Sequence, residues 1–200
     1  MAASSHQSLN KHTRLNLKLT LQFVDTRHQS LLSRIVLRRW VKIALSQQSQ
    51  DLRKIVLASR TFAASAQIVR QGGTTPPGRF CISPNAEITL RFVDSIEGQA
   101  LNYNYRGKNY PTNVLTFPYT DDEQEDQLLQ ADLVLCPEII EQEANAQNKA
   151  LLAHYAHLII HGVLHAQGYT HDEEDEAQQM ESLEVLLLAE LGFPNPYHIG

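Results

Sequence analysis

The sequence predicts one α+β domain that spans residues 1–200, with a small mixed β-sheet of about four strands packed against five to six helices. Stretches that alternate apolar and polar residues, which are typical of strands, lie mainly in the first two thirds of the chain. Stretches with helical periodicity fill the last third. Of the 200 residues, 42% are apolar, and this length is enough for one substantial hydrophobic core.

The strands are predicted from their alternation and from their flanking residues. The first has an apolar residue at every second position from Leu15 to Phe23, which predicts a strand with one buried face. The last is a short apolar run that ends at Pro137, which favours a fully buried strand. The predicted strands cover residues 15–24, 87–94, 113–119 and 131–137.

The helices are predicted over residues 28–47, 95–107, 138–148, 150–167 and 172–191. In the first helix the apolar residues step by three and four positions, which predicts one buried face; they are Leu31, Leu32, Ile35, Val36, Trp40 and Ile43. Arg34, Arg38 and Lys42 gather on its opposite face. The last helix carries Met180, Leu183, Leu187 and Leu191 on one side, and Gly192 predicts its end.

Three segments are predicted to lie outside these elements. Residues 1–13 are expected to form a flexible N-terminus, since they lack the apolar core of a secretory signal. Residues 60–86, with a run of Gly, Thr and Pro, are expected to form an insertion loop, and the acidic residues 120–127 a solvated loop. No apolar run approaches the ~20 residues of a membrane span, so no membrane association is expected. Cys81 and Cys136 predict two buried thiols in a reducing cytoplasm.

The charges are divided between the two parts of the chain. Residues 1–110 carry 16 Lys and Arg and 5 acids, a net charge of +11, whereas residues 111–200 carry one Lys and 17 acids, a net charge of −16. This asymmetry predicts a basic face that could meet a polyanion such as RNA. The alternative is that the two parts interleave in the fold and their charges largely cancel.

The segment "HGVLHAQGYTH" at residues 161–171 has the pattern of a metal site. His161 and His165 stand four residues apart in a predicted helix, so both side chains project from one face. Gly168 lets the chain turn back, and His171 then arrives from outside the helix. Three histidines with an open fourth position are typical of catalytic zinc, in a helix like that of the zincin peptidases. Gly162, however, occupies the position where those peptidases carry their glutamate base.

The neighbouring polar residues admit two interpretations each. His154 and His157 continue the histidine stripe and either contact substrate or metal ligands, or hydrogen-bond beneath the site. The acids that follow His171 could be ligands or a base, but acids in the first turn of a helix also favour its dipole. Thr170 and Glu173 fit a capping box, which favours the helix-starting interpretation.

Four segments of the sequence together resemble the YbeY family of bacterial endoribonucleases and rRNA maturation factors. They are "LNYNYRGKNYPTNVLTFPY", "ADLVLCP", "HLIIHGVLHAQGYTH" and the C-terminal "EDEAQQMESLEVLLLAELGFPNPY". The similarity covers most of residues 87–200 and, more weakly, residues 15–45. The sequence departs from the family pattern at Thr170, where the family usually has aspartate, and at Ala131, where it usually has glycine. Residues 60–86 match no part of the family pattern.

The resemblance implies that His161, His165 and His171 bind one Zn²⁺ per chain. It also implies that Arg106, in "NYRG", is the functional arginine of the family, suited to phosphate by its planar, permanently charged guanidinium. The implied function is zinc-dependent, single-strand-specific cleavage of rRNA precursors in the cytoplasm. It includes maturation of the 16S 3′ end, ribosome biogenesis and ribosome quality control, with the small ribosomal subunit as a partner.

Two other functions are compatible with the same residues. A zinc metallopeptidase would share the spacing of the histidines and Gly168, but Gly162 removes the residue that activates water in those enzymes. A non-catalytic RNA-binding factor for ribosome assembly, with a structural metal, would explain the charge division equally well.

Overall fold

The computed structural model describes residues 15–46, 85–119 and 128–198, and these ranges form a four-stranded sheet with five helices. The elements in chain order are β1 (Asn16–Phe23), α1 (Arg34–Leu45), β2 (Asn85–Phe92), α2 (Ser95–Arg106), β3 (Val114–Tyr119), β4 (Leu128–Leu135), α3 (Pro137–Ala146), α4 (Leu151–Ala166) and α5 (Glu174–Leu191). This arrangement confirms the predicted α+β fold with a small mixed sheet.

The strands lie in the order β1-β2-β4-β3. β1 and β4 are both parallel to β2, with Leu19 opposite Ile88 and Ile88 opposite Ala131, whereas β3 runs antiparallel to β4 along one edge. Parallel neighbours require crossover connections, and α1 lies on the connection from β1 to β2, whereas α2 and β3 lie on the one from β2 to β4. β3 therefore forms an edge strand beside the helix that carries the histidines.

The two faces of the sheet support layers of different size. The larger core joins one face to α1, α3, α4 and α5 and contains fully buried residues such as Leu133, Leu135 and Ile160. On the other face, Val93, Leu115 and Val134 form a small cluster with Leu101 of α2. α4 contacts β3, β4 and the three helices α1, α3 and α5, so it is the central helix of the thicker layer.

The predicted helix over residues 28–47 begins later than expected. α1 begins at Arg34, because the side chain of Ser33 caps it by accepting a hydrogen bond from the amide of Val36. The predicted buried face is also partly wrong, since Ile35 is 83% exposed and Leu31 is 48% exposed. The residues before the helix form turns instead. They place Nδ1 of His28 2.9 Å from the hydroxyl oxygen of Tyr155.

The predicted capping box at Thr170 and Glu173 is not formed. α5 begins at Glu174, and the side chain of Glu173 makes no capping hydrogen bond. The hydroxyl of Thr170 instead donates a hydrogen bond to the carboxylate of Glu176. The acidic first turn of α5, with Glu174, Asp175 and Glu176, agrees with the expected favourable interaction with the helix dipole.

Other predicted segments are found with small shifts or lie outside the described residues. The strand predicted over 131–137 begins earlier, at Leu128, and Pro137 starts α3. Most of the predicted insertion at 60–86 and the predicted N-terminal segment 1–13 lie outside the described ranges, but residues 85 and 86 belong to β2. None of the helices in the described ranges is long and apolar enough to cross a membrane. Cys136 is buried and not in a disulfide, whereas Cys81 is not among the described residues.

Candidate metal centre and active site

The structure brings the three predicted histidine ligands together. His161 and His165 lie on α4, and Gly168 adopts a left-handed conformation with φ of 91° that turns the chain so that His171 returns to them. One nitrogen from each of the three side chains lies within 4.8 Å of the others. His171 is exposed and the other two are partly buried, so the cluster opens towards solvent.

Hydrogen bonds on the far side of two rings define which nitrogen faces the cluster. Nδ1 of His165 lies 2.8 Å from the carbonyl oxygen of Tyr169, and Nδ1 of His161 lies 2.7 Å from Oε1 of Glu184. Both acceptors require a hydrogen on Nδ1, so each neutral ring presents an unprotonated Nε2 to the cluster. These two Nε2 atoms are only 3.0 Å apart.

Two facing lone pairs at this distance repel each other unless a cation lies between them. A shared proton would require one ring to be an imidazolium. Burial lowers the pKa of His165 to about 4, and the neighbouring His161 adds to this effect, which disfavours the charged form of His165 near neutral pH. Three neutral imidazoles with a free nitrogen each are the donor set that Zn²⁺ accepts, so the residues fit a metal ion at this position.

Glu184 supports the cluster from α5, and the sequence interpretation did not identify it. Its carboxylate is completely buried and accepts hydrogen bonds from Nδ1 of His161 at 2.7 Å and from Nε2 of His157 at 2.9 Å. Burial raises the pKa of Glu184, but the hydrogen bonds from His157 and His161 more than offset this and hold its pKa at about 2. The sequence does contain a signal for Glu184, because this charged residue lies within the apolar stripe that includes Met180 and Leu187.

His154 and His157 do not face the cleft. This agrees with the interpretation that they hydrogen-bond beneath the site. His154 is 4% exposed, and its Nε2 lies 2.8 Å from Oε2 of Glu143. Glu143 also accepts two hydrogen bonds from the side-chain amide of Asn113, which precedes β3. The contacts of Glu143 with His154 and Asn113 therefore connect α4 to α3 and to the start of the edge strand β3, beneath the site.

A cleft of about 610 Å³ lies in front of the histidine cluster. Arg106, the last residue of α2, lines this cleft together with His161, His165 and His171. Its side chain is exposed, and among the residues that the structure describes no acid forms an ion pair with it. The rest of the wall comes from residues 112–118 and 168–172 and from Tyr105.

Gly162 faces the sheet, where there is no room for a side chain. A Cβ atom at this position would lie 2.6 Å from Cδ2 of Leu133 and 3.0 Å from Oγ1 of Thr116. The hydroxyl of Thr116 also lies 3.4 Å from the carbonyl oxygen of Gly162. The close packing of α4 on β3 and β4 thus opposes a glutamate at the position where zinc peptidases of the HExxH type carry their base, because Leu133 would have to shift.

The predicted basic face is partly occupied by contacts within the chain. On α1, the guanidinium groups of Arg34 and Arg38 donate hydrogen bonds to the backbone carbonyls of Leu19 and Leu17 in β1. Elsewhere Arg27 forms ion pairs with Glu138 and Glu141, which join the basic and acidic parts of the chain. The ion pairs of Arg27 agree with the alternative in which the two parts interleave, and the basic face stays a prediction.

Comparison with known proteins agrees with the resemblance seen in the motifs. A family model described as Endoribonuclease YbeY matches residues 58–192, so the match also includes residues 60–86, for which the motifs had shown no counterpart. A protein named Endoribonuclease YbeY from Herminiimonas arsenicoxydans is 47% identical over 185 residues, which are 90% of this chain and 95% of that protein. One of the same name from Janthinobacterium sp. (strain Marseille) is 44% identical over 90% of this chain and 94% of its own length.

Another relative of that name, from Paraburkholderia phymatum, is 58% identical over 113 residues, which are 56% of this chain and 72% of its own. A solution structure from Thermotoga maritima covers 91% of this chain and 99% of its own, with 17% identity and a TM-score of 0.39, values too low to add to the assignment. The matched family model, together with relatives that align along nearly their whole length, means that this chain belongs to the YbeY family of endoribonucleases.

Proposed function

We propose that this protein is a zinc-dependent, single-strand-specific endoribonuclease that matures the 3′ end of 16S rRNA and takes part in ribosome biogenesis and ribosome quality control. The observation that carries the proposal is the cleft in which His161, His165 and His171 stand together with Arg106. The endoribonuclease family makes RNA the substrate class. We further propose that the protein works in the cytoplasm, with the small ribosomal subunit as a partner.

The residues of the cleft divide the work of phosphodiester hydrolysis. His161, His165 and His171 would hold one Zn²⁺, which when bound would lower the pKa of a coordinated water towards ~7 and polarise a phosphoryl oxygen. Arg106 would bind the phosphate through its guanidinium and offset the charge that develops on the phosphoryl oxygens. Because Arg106 lies in the same cleft as the histidines, a phosphate bound there would meet both groups.

The packing around Gly162 argues against peptide hydrolysis. Zinc peptidases of this spacing use a glutamate after the first histidine to activate water and to pass its proton to the leaving amine. A Cβ atom at position 162 would approach Leu133 to 2.6 Å, so that glutamate would require Leu133 to shift. Water activation by the metal alone is therefore the chemistry that this site supports best.

The proposal is tested by metal content and RNA cleavage measured on the same preparations. We expect the wild-type protein to contain about one zinc per chain and to cleave a single-stranded RNA with the 3′ region of precursor 16S rRNA. His161→Ala should lose both the metal and the cleavage. Arg106→Gln should keep the metal and lose ~10-fold or more in kcat/KM, since it removes a charge-assisted contact to phosphate.

Two outcomes would contradict the proposal. His161→Ala protein with full zinc content and full cleavage would exclude the histidine cluster, and purifying it in parallel controls for contaminating nucleases. Strong, salt-dependent RNA binding without metal-dependent cleavage would instead favour the assembly factor with a structural metal. Chelator-sensitive turnover of a peptide library would favour the peptidase.

A further inference from the structure

The ligand His161 is held from behind by a network that ends in the last described residues of the chain. Behind it lies Glu184, a completely buried carboxylate on α5. A buried carboxylate is costly unless donors surround it, and three reach this one. They are Nδ1 of His161, Nε2 of His157 and the hydroxyl of Tyr197.

Tyr197 reaches Glu184 because the chain reverses after α5. Gly192 ends the helix in a left-handed conformation with φ of 85°, and the amide of Phe193 closes the turn on the carbonyl of Leu188 at 2.9 Å. The ring of Phe193 then packs against Trp40 of α1, with ring centroids 5.9 Å apart. These contacts anchor the start of the C-terminal segment on the core.

A second turn directs Tyr197 at the network. The side chain of Asn195 accepts a hydrogen bond from the amide of Tyr197 at 2.9 Å. The ring of Tyr197 packs edge-on against His157 with centroids 5.5 Å apart, and its hydroxyl donates to Glu184. Tyr197 is still 42% exposed, so its buried part is the hydroxyl end that meets the carboxylate.

We infer that Glu184 is a positioning residue for the metal centre, and that Tyr197 holds it in place. Glu184 fixes the hydrogen of His161 on Nδ1 and orients the ring, so that Nε2 points to His165 and His171. His157 and Tyr197 satisfy the other carboxylate oxygen, so the carboxylate cannot rotate away from His161 without losing them. This inference rests on the proposed function, because it assigns Glu184 a role towards the metal of that site.

The test measures zinc affinity by competition with a chromogenic chelator, using the full-length protein. Glu184→Gln keeps the shape of the side chain, but its amide nitrogen cannot accept the hydrogen bonds that the second carboxylate oxygen receives. We expect it to bind zinc ~10–100-fold more weakly. Tyr197→Phe removes one hydroxyl from a partly exposed residue and should weaken zinc binding by a smaller factor. The visible absorption spectrum of the Co²⁺-loaded protein should change in Glu184→Gln.

The matched control is Glu143→Gln, which changes a partly buried carboxylate that also pairs with a histidine of α4. Its partner is His154, which is not a proposed ligand. Glu143→Gln should destabilise the metal-free protein towards urea without weakening zinc binding. If Glu184→Gln fails to fold, Tyr197→Phe still decides the matter.

The inference is overturned if both Glu184→Gln and Tyr197→Phe bind zinc as tightly as wild type. It is also overturned if Glu143→Gln weakens binding as much as Glu184→Gln, because the effect would then come from general loss of stability. In both cases the wild-type protein would still bind zinc and cleave RNA, and the proposed function would stand. A wild-type protein that binds no zinc would overturn the proposed function itself.

Discussion

Four histidines follow one another along α4, but they form two pairs that use opposite nitrogens. In the pair behind the cleft, His154 and His157, Nε2 meets a carboxylate, at 2.8 Å from Glu143 and 2.9 Å from Glu184. In the cleft pair, His161 and His165, Nδ1 meets the acceptor instead and Nε2 faces the cleft. Residue type is the same in both pairs, and the spacing differs by only one residue, three in the first pair and four in the second. The position of the acceptor therefore decides which histidine can offer a nitrogen to a metal.

The largest expected effect comes from a substitution that removes one histidine of the cleft pair and leaves the other pair intact. His165→Ala should remove zinc and reduce RNA cleavage by more than ~100-fold, beyond the loss typical of changes outside the ligand shell. His154→Gln should keep zinc and most of the activity, although it weakens the link to Glu143. Elemental analysis and cleavage assays on both variants check this expectation. Loss of zinc from His154→Gln would show that the division into two pairs is wrong.

A smaller effect concerns the face of α4 that carries no histidine. Gly162→Ala should destabilise the protein by ~1–3 kcal/mol, because the added Cβ would lie 2.6 Å from the buried side chain of Leu133. Gly98→Ala in α2 is the matched control, since its Cβ would meet nothing closer than 3.7 Å. That change should be neutral or stabilising by up to ~1 kcal/mol, as alanine favours helices over glycine.

Urea unfolding of the metal-free proteins separates the two glycine variants. The comparison isolates packing from helix propensity, because both positions lie inside helices and only one lacks space. Equal stability of Gly162→Ala and Gly98→Ala would mean that α4 can move away from β4 at little cost. The expected cost of a glutamate at this position would then lose its physical basis.

The smallest expected effect is a pH dependence of stability at Glu143, the partner of His154. Burial raises the pKa of Glu143, but hydrogen bonds from His154 and Asn113 more than offset this, so its pKa is lowered from the ordinary 4.5. A lowered carboxyl pKa contributes stability above the ordinary pKa and loses it as the pH falls through the lowered value. Glu143→Gln should therefore cost about 1 kcal/mol at pH 7, and this cost should shrink in acid.

The measurement compares the free energy of unfolding of wild type and Glu143→Gln across a pH series. Taking the difference cancels the titration of groups that both proteins share. A difference that stays constant from neutral pH to below the ordinary carboxyl pKa would contradict the assigned role of Glu143. A difference in the free energy of unfolding that grows in acid would also contradict this role, because the expected change has the opposite sign.

Local patterns in the sequence predicted those features that depend on one element. The helix expected over residues 150–167 is α4, and the spacing of its histidines with Gly168 placed the three candidate ligands together. Glu184 was not identified, because its partners come from another helix and from the C-terminal segment, and no local pattern describes such contacts. The face of α1 was wrong at Ile35 for a similar reason, since the sheet and α4 decide which side is buried.

The capping box at Thr170 failed because its pattern describes a possible hydrogen bond and not a unique one. The hydroxyl of Thr170 had a second acceptor, Glu176, in the first turn of α5, and the structure uses that one. The aspartate expected at position 170 from the motif resemblance would place a carboxylate beside another carboxylate. The threonine donates a hydrogen bond instead, which joins the loop between Gly168 and His171 to the start of α5.

The contact between Gly162 and Leu133 also has a consequence for how such enzymes can change over evolutionary time. Acquiring the base of a zinc peptidase would need a glutamate at position 162, but any side chain there meets Leu133 and Thr116 first. Leu133 would have to shift to make room for the new residue. The first step of a route from RNA cleavage to peptide cleavage therefore carries a cost in stability, although all three histidines are already in place.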